Sequence, residues 1–142
     1  FRAAFGLLQL TKVDGEIRKR QKVAERYRDA LKDVPGLTML SDLPGVQHNY
    51  AYFPVMINAR KFGMTRDQLY EKLRAENIMS RRYFYPLCSE FPVYQGLPSA
   101  SAANLPVATN VAREVLCLPM FAELREEEQD CVIRSLRFPR GN

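Results

Sequence analysis

"TRDQLYEKLRAENIMSRRYFY", residues 65–85, reads as a helix running directly into a strand. Thr65 and Gln68 stand three apart, the spacing at which a hydroxyl and an amide side chain each satisfy a free backbone N–H at a helix start. Leu69, Tyr70 and Leu73 follow at helical spacing, so a helix is predicted over 65–76. Asn77, a residue type that tolerates left-handed backbone, closes it. "IMSRRYFY" is then predicted as a strand, ended by Pro86.

The same alternation of helix and short strand extends in both directions. Leu10, Val13, Ile17, Ala24, Tyr27 and Leu31 recur at threes, fours and a seven, the spacing of one apolar face on a long helix. A helical pattern is already running at Phe1, so the chain reads as starting inside an element of something larger. Gly6 and Gly15 each weaken that helix by roughly 1 kcal/mol relative to alanine. Its end is predicted at Val34-Pro35-Gly36. "LTML" (37–40) and "HNYAYFPVMI" (48–57) are candidate strands, with Pro54 restricting the second to an edge, a bulge or a strand end. Residues 91–104 are small and turn-forming. Pro106 opens a helix through "PVATNVAREVL", "CLPMF" is a short apolar strand or turn, and "AELREEEQDCVIRSLR" is a final helix with acids first and arginines last, as the helix dipole favours. Helices crossing between short strands define an α+β class: one domain, residues 1–142, with a small, mostly antiparallel sheet packed by helices.

The chain has 142 residues, 46% of them hydrophobic, enough for one core. No apolar run is long enough to span a bilayer and no signal peptide is visible, so a soluble, cytoplasmic domain is expected. The net charge is +5 and the pI near 9.3, but "DGEIRKRQKVAERYRDALKD" and "ELREEEQD" mix both signs. Such mixing describes solvated helix faces rather than a one-sided basic stripe for nucleic acid. Cys88, Cys117 and Cys131 are odd in number and widely spaced, which suits neither disulfides nor zinc and reads as small buried hydrophobes.

Complete catalytic machinery is not visible. His48 is the only histidine, which excludes a two-histidine metal site; a backbone-bonded residue at a strand entry accounts for it. There is no glycine-rich phosphate loop, and Cys88 has no neighbouring base. The strongest candidate is 80–85: if extended, it places Arg81, Tyr83 and Tyr85 on one face and Arg82 and Phe84 on the other. Guanidinium groups pair with phosphate and carboxylate, and tyrosines supply rings and hydroxyls, a set suited to a phosphorylated or nucleotide-linked small molecule. Composition alone fits equally a half-exposed strand of ordinary surface residues.

Four stretches carry a resemblance. "FRAAFGLLQL" (1–10) resembles the Asn-Glu-Phe-x-Ala-Ala-x-Gly-Leu segment of the DegT/DnrJ/StrS-type sugar aminotransferases at Phe1, Ala3, Ala4, Gly6 and Leu7. "IRKRQKVAERYRDAL" (17–31) is similar to the helix that follows it, "NIMSRRYFYPL" (77–87) to the strand leading to a Tyr-x-Pro-Leu turn, and "LPVATNVAREVLCLPMFAEL" (105–124) to the closing pattern.

The resemblance implies the small C-terminal domain of an aspartate-aminotransferase-like, type I fold, with the large domain that binds pyridoxal 5'-phosphate absent. It implies a homodimeric parent enzyme that moves an amino group from glutamate to the keto group of a nucleotide-linked deoxysugar, most like the dTDP-linked ones. The cofactor lysine lies outside the matched segments, and none of Lys12, Lys19, Lys22, Lys32, Lys61 and Lys72 is assigned to it, so the chain alone is expected to be inactive. By the same resemblance Tyr83 contacts the sugar or the cofactor edge, Tyr85 is a neighbouring wall, and Arg81 is a partner for diphosphate or the glutamate carboxylate. Phe84 faces the core, and Phe1, Phe5 and Leu8 face an interface. A stand-alone binding module without catalysis is the alternative reading.

Overall fold

A computed structural model of the chain describes residues 1–83 and 85–138. Helices α1 (Arg2–Leu10) and α2 (Val13–Leu31) lead into strand β1 (Leu37–Met39). Strand β2 (Phe53–Ile57), the one-turn α3 (Ala59–Phe62) and α4 (Arg66–Ala75) come next. After a long irregular segment follow α5 (Pro106–Glu114), strand β3 (Val115–Leu118) and α6 (Glu126–Arg137). The strands form one antiparallel sheet in the order β1-β2-β3, so the molecule is an α+β domain.

Local chemistry sets α4 as its sequence predicts. The Gln68 N–H donates to Thr65 Oγ1 at 3.2 Å, and the Thr65 N–H donates to Gln68 Oε1 at 2.8 Å. Asn77 takes φ 59°, and the Ile78 N–H returns to the Leu73 carbonyl at 2.8 Å. The buried face of α4, Leu69 and Leu73, enters the core.

Alternation along β2 buries Phe53, Val55 and Ile57. With Leu37, Leu116 and Leu118 they join Tyr27, Leu31, Leu69, Leu73, Val132 and Leu136 in one cluster, with the Tyr27 and Phe53 rings 5.1 Å apart. Polar contacts tie α2 to α6. Buried Gln129 donates to the Val23 carbonyl at 2.8 Å, Arg26 pairs with Asp130 at 2.8 Å, and Arg137 donates to the Ala30 carbonyl at 2.7 Å.

Several expectations are corrected. The first helix is interrupted at Thr11–Lys12, and Leu10 and Val13 of the predicted apolar face are exposed; only from Val23 onward is it buried. It also stops at Leu31, with Gly36 making the chain reversal at φ 77°. A Cβ there would lie 2.4 Å from the Phe62 nitrogen, so the turn admits only glycine.

The second strand begins at Phe53, not His48. Upstream, side chains satisfy the backbone instead: the Tyr50 N–H donates to His48 Nδ1 at 2.9 Å and the Ala51 N–H to Asn49 Oδ1 at 3.0 Å. His48 is thus backbone-bonded, but ahead of the strand. Pro54 lies in the central strand and at no loss: its nitrogen points away from β3, toward the β1 side, and β1 reaches only as far as Val55.

Residues 115 and 116, expected in a helix, begin β3. Of the cysteines only Cys117 is buried; Cys88 and Cys131 are exposed. Among the described residues the predicted strand 78–85 is reduced to one bridge, in which the Arg81 N–H donates to the Cys117 carbonyl at 3.0 Å and the Cys117 N–H to the Arg81 carbonyl at 2.8 Å. Both directions of extension are blocked. In this register the next partner one way is residue 119, a proline without an N–H. The other way it is Val115, whose N–H is spent on the Val111 carbonyl at the end of α5 and whose carbonyl already accepts from Arg66 Nη1 at 3.0 Å.

Candidate functional site

Residues 81–83 and 85 form a strap between β3 and α4, and their side chains divide between the two; Phe84, expected to face the core, lies outside the described residues. On the β3 side a cleft of about 550 Å³ opens. Tyr52, Met79, Arg81, Cys117, Met120 and Phe121 line it, with Glu76 and Glu128 also in its wall. Among the described residues no carboxylate lies within ion-pair reach of Arg81. The ring of Tyr83 packs on Tyr52 at 4.4 Å between centroids. Hydrogen bonding to Tyr52 is the main force holding the Tyr83 phenol above its ordinary pKa, with desolvation adding and the Arg81 charge opposing. Burial pushes the Cys117 thiol up to about 11 despite the same arginine.

On the α4 side the predicted alternation fails. Tyr85 does not share a face with Arg81; its ring lies 4.9 Å from the Arg66 guanidinium and 5.2 Å from that of Arg82. Arg82 also stacks over Tyr70 at 4.5 Å. The structure therefore brings Arg81 to the cleft and Tyr83 to its Tyr52 wall, and places Tyr85 in a separate cation–π stack. Tyr52, Arg66, Asp67 and Tyr70 escaped the sequence reading. Only the aromatic density of "HNYAYF" hinted at the first, and the others read simply as helix positions.

Pyridoxal phosphate, which the resemblance implies, does not fit this chain's residues by themselves. Its aldehyde needs a lysine amine, and no lysine lines the cleft. Lys19 is held by Glu16 and Glu123, and Lys72 by Glu76, on the exposed sides of their helices. Among the described residues no helix is long and apolar enough to cross a membrane.

Comparison with known proteins identifies relatives across nearly the whole chain. A dTDP-4-amino-4,6-dideoxy-D-glucose transaminase of Escherichia coli is 50% identical over 125 residues, which are 88% of this chain and 33% of that protein. The chain spans about a third of the length of the curated relatives it matches. Its backbone superposes on S. venezuelae DesV with a TM-score of 0.86 at 26% identity, covering 99% of this chain and 36% of that one. For DesI, solved in the presence of its TDP-sugar product, the TM-score is 0.83 at 30% identity, covering 97% and 36%. The model of the DegT/DnrJ/EryC1/StrS aminotransferase family matches residues 1–137. A family model matched over residues 1–137, a matched sequence and a matched backbone lead to one conclusion: the chain belongs to the DegT/DnrJ/EryC1/StrS aminotransferase family.

Proposed function

We propose that this chain is the small C-terminal domain of a cytoplasmic, homodimeric aminotransferase of type I fold, acting on a nucleotide-linked deoxysugar with glutamate as amino donor. The rest of the parent enzyme supplies the pyridoxal-phosphate domain, whose cofactor carries the amino group between the two substrates. The observation that carries this reading is Arg81, a guanidinium with no carboxylate partner among the described residues, at the cleft edge beside the Tyr83–Tyr52 pair. In a chain half identical to a dTDP-sugar transaminase, this suits an anion joined to a sugar.

In this reading Tyr83 meets the sugar or the cofactor edge, with its neighbour Tyr52 as backing. Arg81 pairs with a forked anion, either the diphosphate of the nucleotide or the carboxylate of glutamate. Tyr85, on the α4 side of the strap, braces it through its two arginines instead of walling the cleft. Phe1, just ahead of α1, and Phe5 and Leu8 on it face the rest of the parent enzyme or its second copy. By itself the chain is inactive, because no lysine lines its cleft.

The test uses the full-length enzyme with glutamate and a dTDP-4-keto-6-deoxy sugar. Transamination is expected, and the isolated domain gives none. Tyr83→Phe should raise KM for the sugar nucleotide about 3–10-fold, the worth of one hydrogen bond, with stability unchanged. A full-length enzyme that ignores nucleotide sugars, or a Tyr83→Phe variant that loses stability but keeps its sugar KM, overturns the assignment.

A further inference from the structure

The α4 side of the strap holds a device that direct substrate contact leaves unexplained. Asp67, in the first turn of α4, sets one carboxylate oxygen between two guanidiniums. Its Oδ1 lies 2.8 Å from Arg66 Nε and 3.3 Å from Arg82 Nη1. Arg82 Nη1 donates a hydrogen bond to it; the Arg66 contact is one of charges only, because the Nε–H is not aligned on the oxygen. Arg66 is fixed at its other side by the bond to the Val115 carbonyl, and its side chain is 1% exposed. The Tyr85 ring lies within cation–π distance of both guanidiniums.

This arrangement follows from charge. A guanidinium as buried as Arg66 needs a counter-charge close by, and Asp67 is the acid that stands there. The same oxygen then draws in the half-exposed Arg82. Arg82 lies between Arg81 and Tyr83 in the chain, so anchoring it to α4 dictates where its two neighbours emerge on the cleft side. The strap is held at one edge by the Arg81–Cys117 backbone bridge and at the other by this stack.

We propose that Asp67 is a positioning residue: acting through Arg82 and Tyr85, it holds the strap so that Arg81 and Tyr83 meet the nucleotide sugar, and it sets affinity for that ligand without touching it. The inference rests on the nucleotide-sugar reading above. Displacements of about 1 Å at an aligned site are worth up to about 100-fold. Because Asp67 also offsets the buried Arg66 charge, its loss lowers stability as well, so the positioning role is read from binding by folded enzyme and from its recovery in the charge-conserving variant.

The test measures equilibrium binding of dTDP-4-amino-4,6-dideoxy-D-glucose to the full-length enzyme. Asp67→Asn, which keeps the shape and an acceptor oxygen but loses the charge, should raise Kd about tenfold. Asp67→Glu should recover most of the loss. If Asp67 acts through Arg82, the Asp67→Asn/Arg82→Gln double variant binds no more weakly than Arg82→Gln alone. An Asp67→Asn enzyme that binds within twofold of wild type, or losses that add in the double variant, overturns the proposal. Wild-type enzyme that fails to bind the probe sinks the nucleotide-sugar reading first, and this role of Asp67 with it; binding by wild type with no effect of Asp67→Asn sinks the positioning role alone.

Discussion

Asp42 lies where three elements of charge and hydrogen bonding meet. Its Oδ1 accepts from Arg28 Nη2 at 2.6 Å, and its Oδ2 accepts from the Tyr50 hydroxyl at 2.6 Å. The Arg28 bond, then the Tyr50 bond, hold the Asp42 carboxyl below its ordinary value of 3.8, while the same carboxylate raises Arg28 and Tyr50. A carboxyl whose pKa is lower folded than unfolded adds stability that is fully present above the unfolded value and is lost as pH falls through the folded one. Asp42→Asn should therefore flatten the pH dependence of the urea midpoint below about pH 4. Some slope persists from Glu76 and Glu128, which are lowered by Lys72 and Arg125 respectively. An unchanged acid limb in the variant would show that the Arg28–Asp42–Tyr50 cluster does not form. The cysteines separate at the same scale. A thiol near pKa 11 is ionised to roughly one part in a thousand at pH 8. Iodoacetamide should then modify exposed Cys88 and Cys131 in the native chain and reach buried Cys117 only on unfolding; three equal rates would contradict the burial of Cys117.

Among the elements, α4 shows what a sequence can announce. Thr65 and Gln68 meet because they are three residues apart, and no distant segment can alter that. Thr65→Ala should cost about 1 kcal/mol in chemical denaturation; a loss under a few tenths would mean that the cap is replaced by water or a neighbour. The strap was legible only in part, for a reason of distance along the chain. Its aromatic, cationic composition picked out Arg81 and Tyr83. That it is not a strand depends on Pro119 at one end of the bridge and on Arg66 occupying the Val115 carbonyl at the other. Likewise the period of two that put Tyr85 beside Arg81 is overridden by two guanidiniums, one of them from α4. Tyr52, the partner of Tyr83, stands 31 residues earlier in a segment whose own backbone is turned by His48 and Asn49. Contacts of that span leave no periodic trace.

At the scale of the whole molecule the core and the first helix part company. The cluster from Val23 to Leu136 is continuous, yet none of its buried members comes from α1, which has no buried residue. Phe5, Leu7, Leu8 and Leu10 are each more than half exposed. A nine-residue helix without a packed face is marginal in water, and an apolar surface of this kind ordinarily marks a contact. In the isolated domain α1 has two outcomes open to it: its amides exchange rapidly, or two copies cover one another's apolar surface. Because that surface lies outside the core, Phe5→Glu with Leu8→Glu should abolish any concentration-dependent association seen by sedimentation and leave the urea midpoint within about 0.5 kcal/mol of wild type. A fall in stability as large as that from a core truncation would instead show that α1 packs on its own domain. A monodisperse monomer protected from exchange from the first helical turn would point the same way, and the apolar face would then need no partner in the parent enzyme.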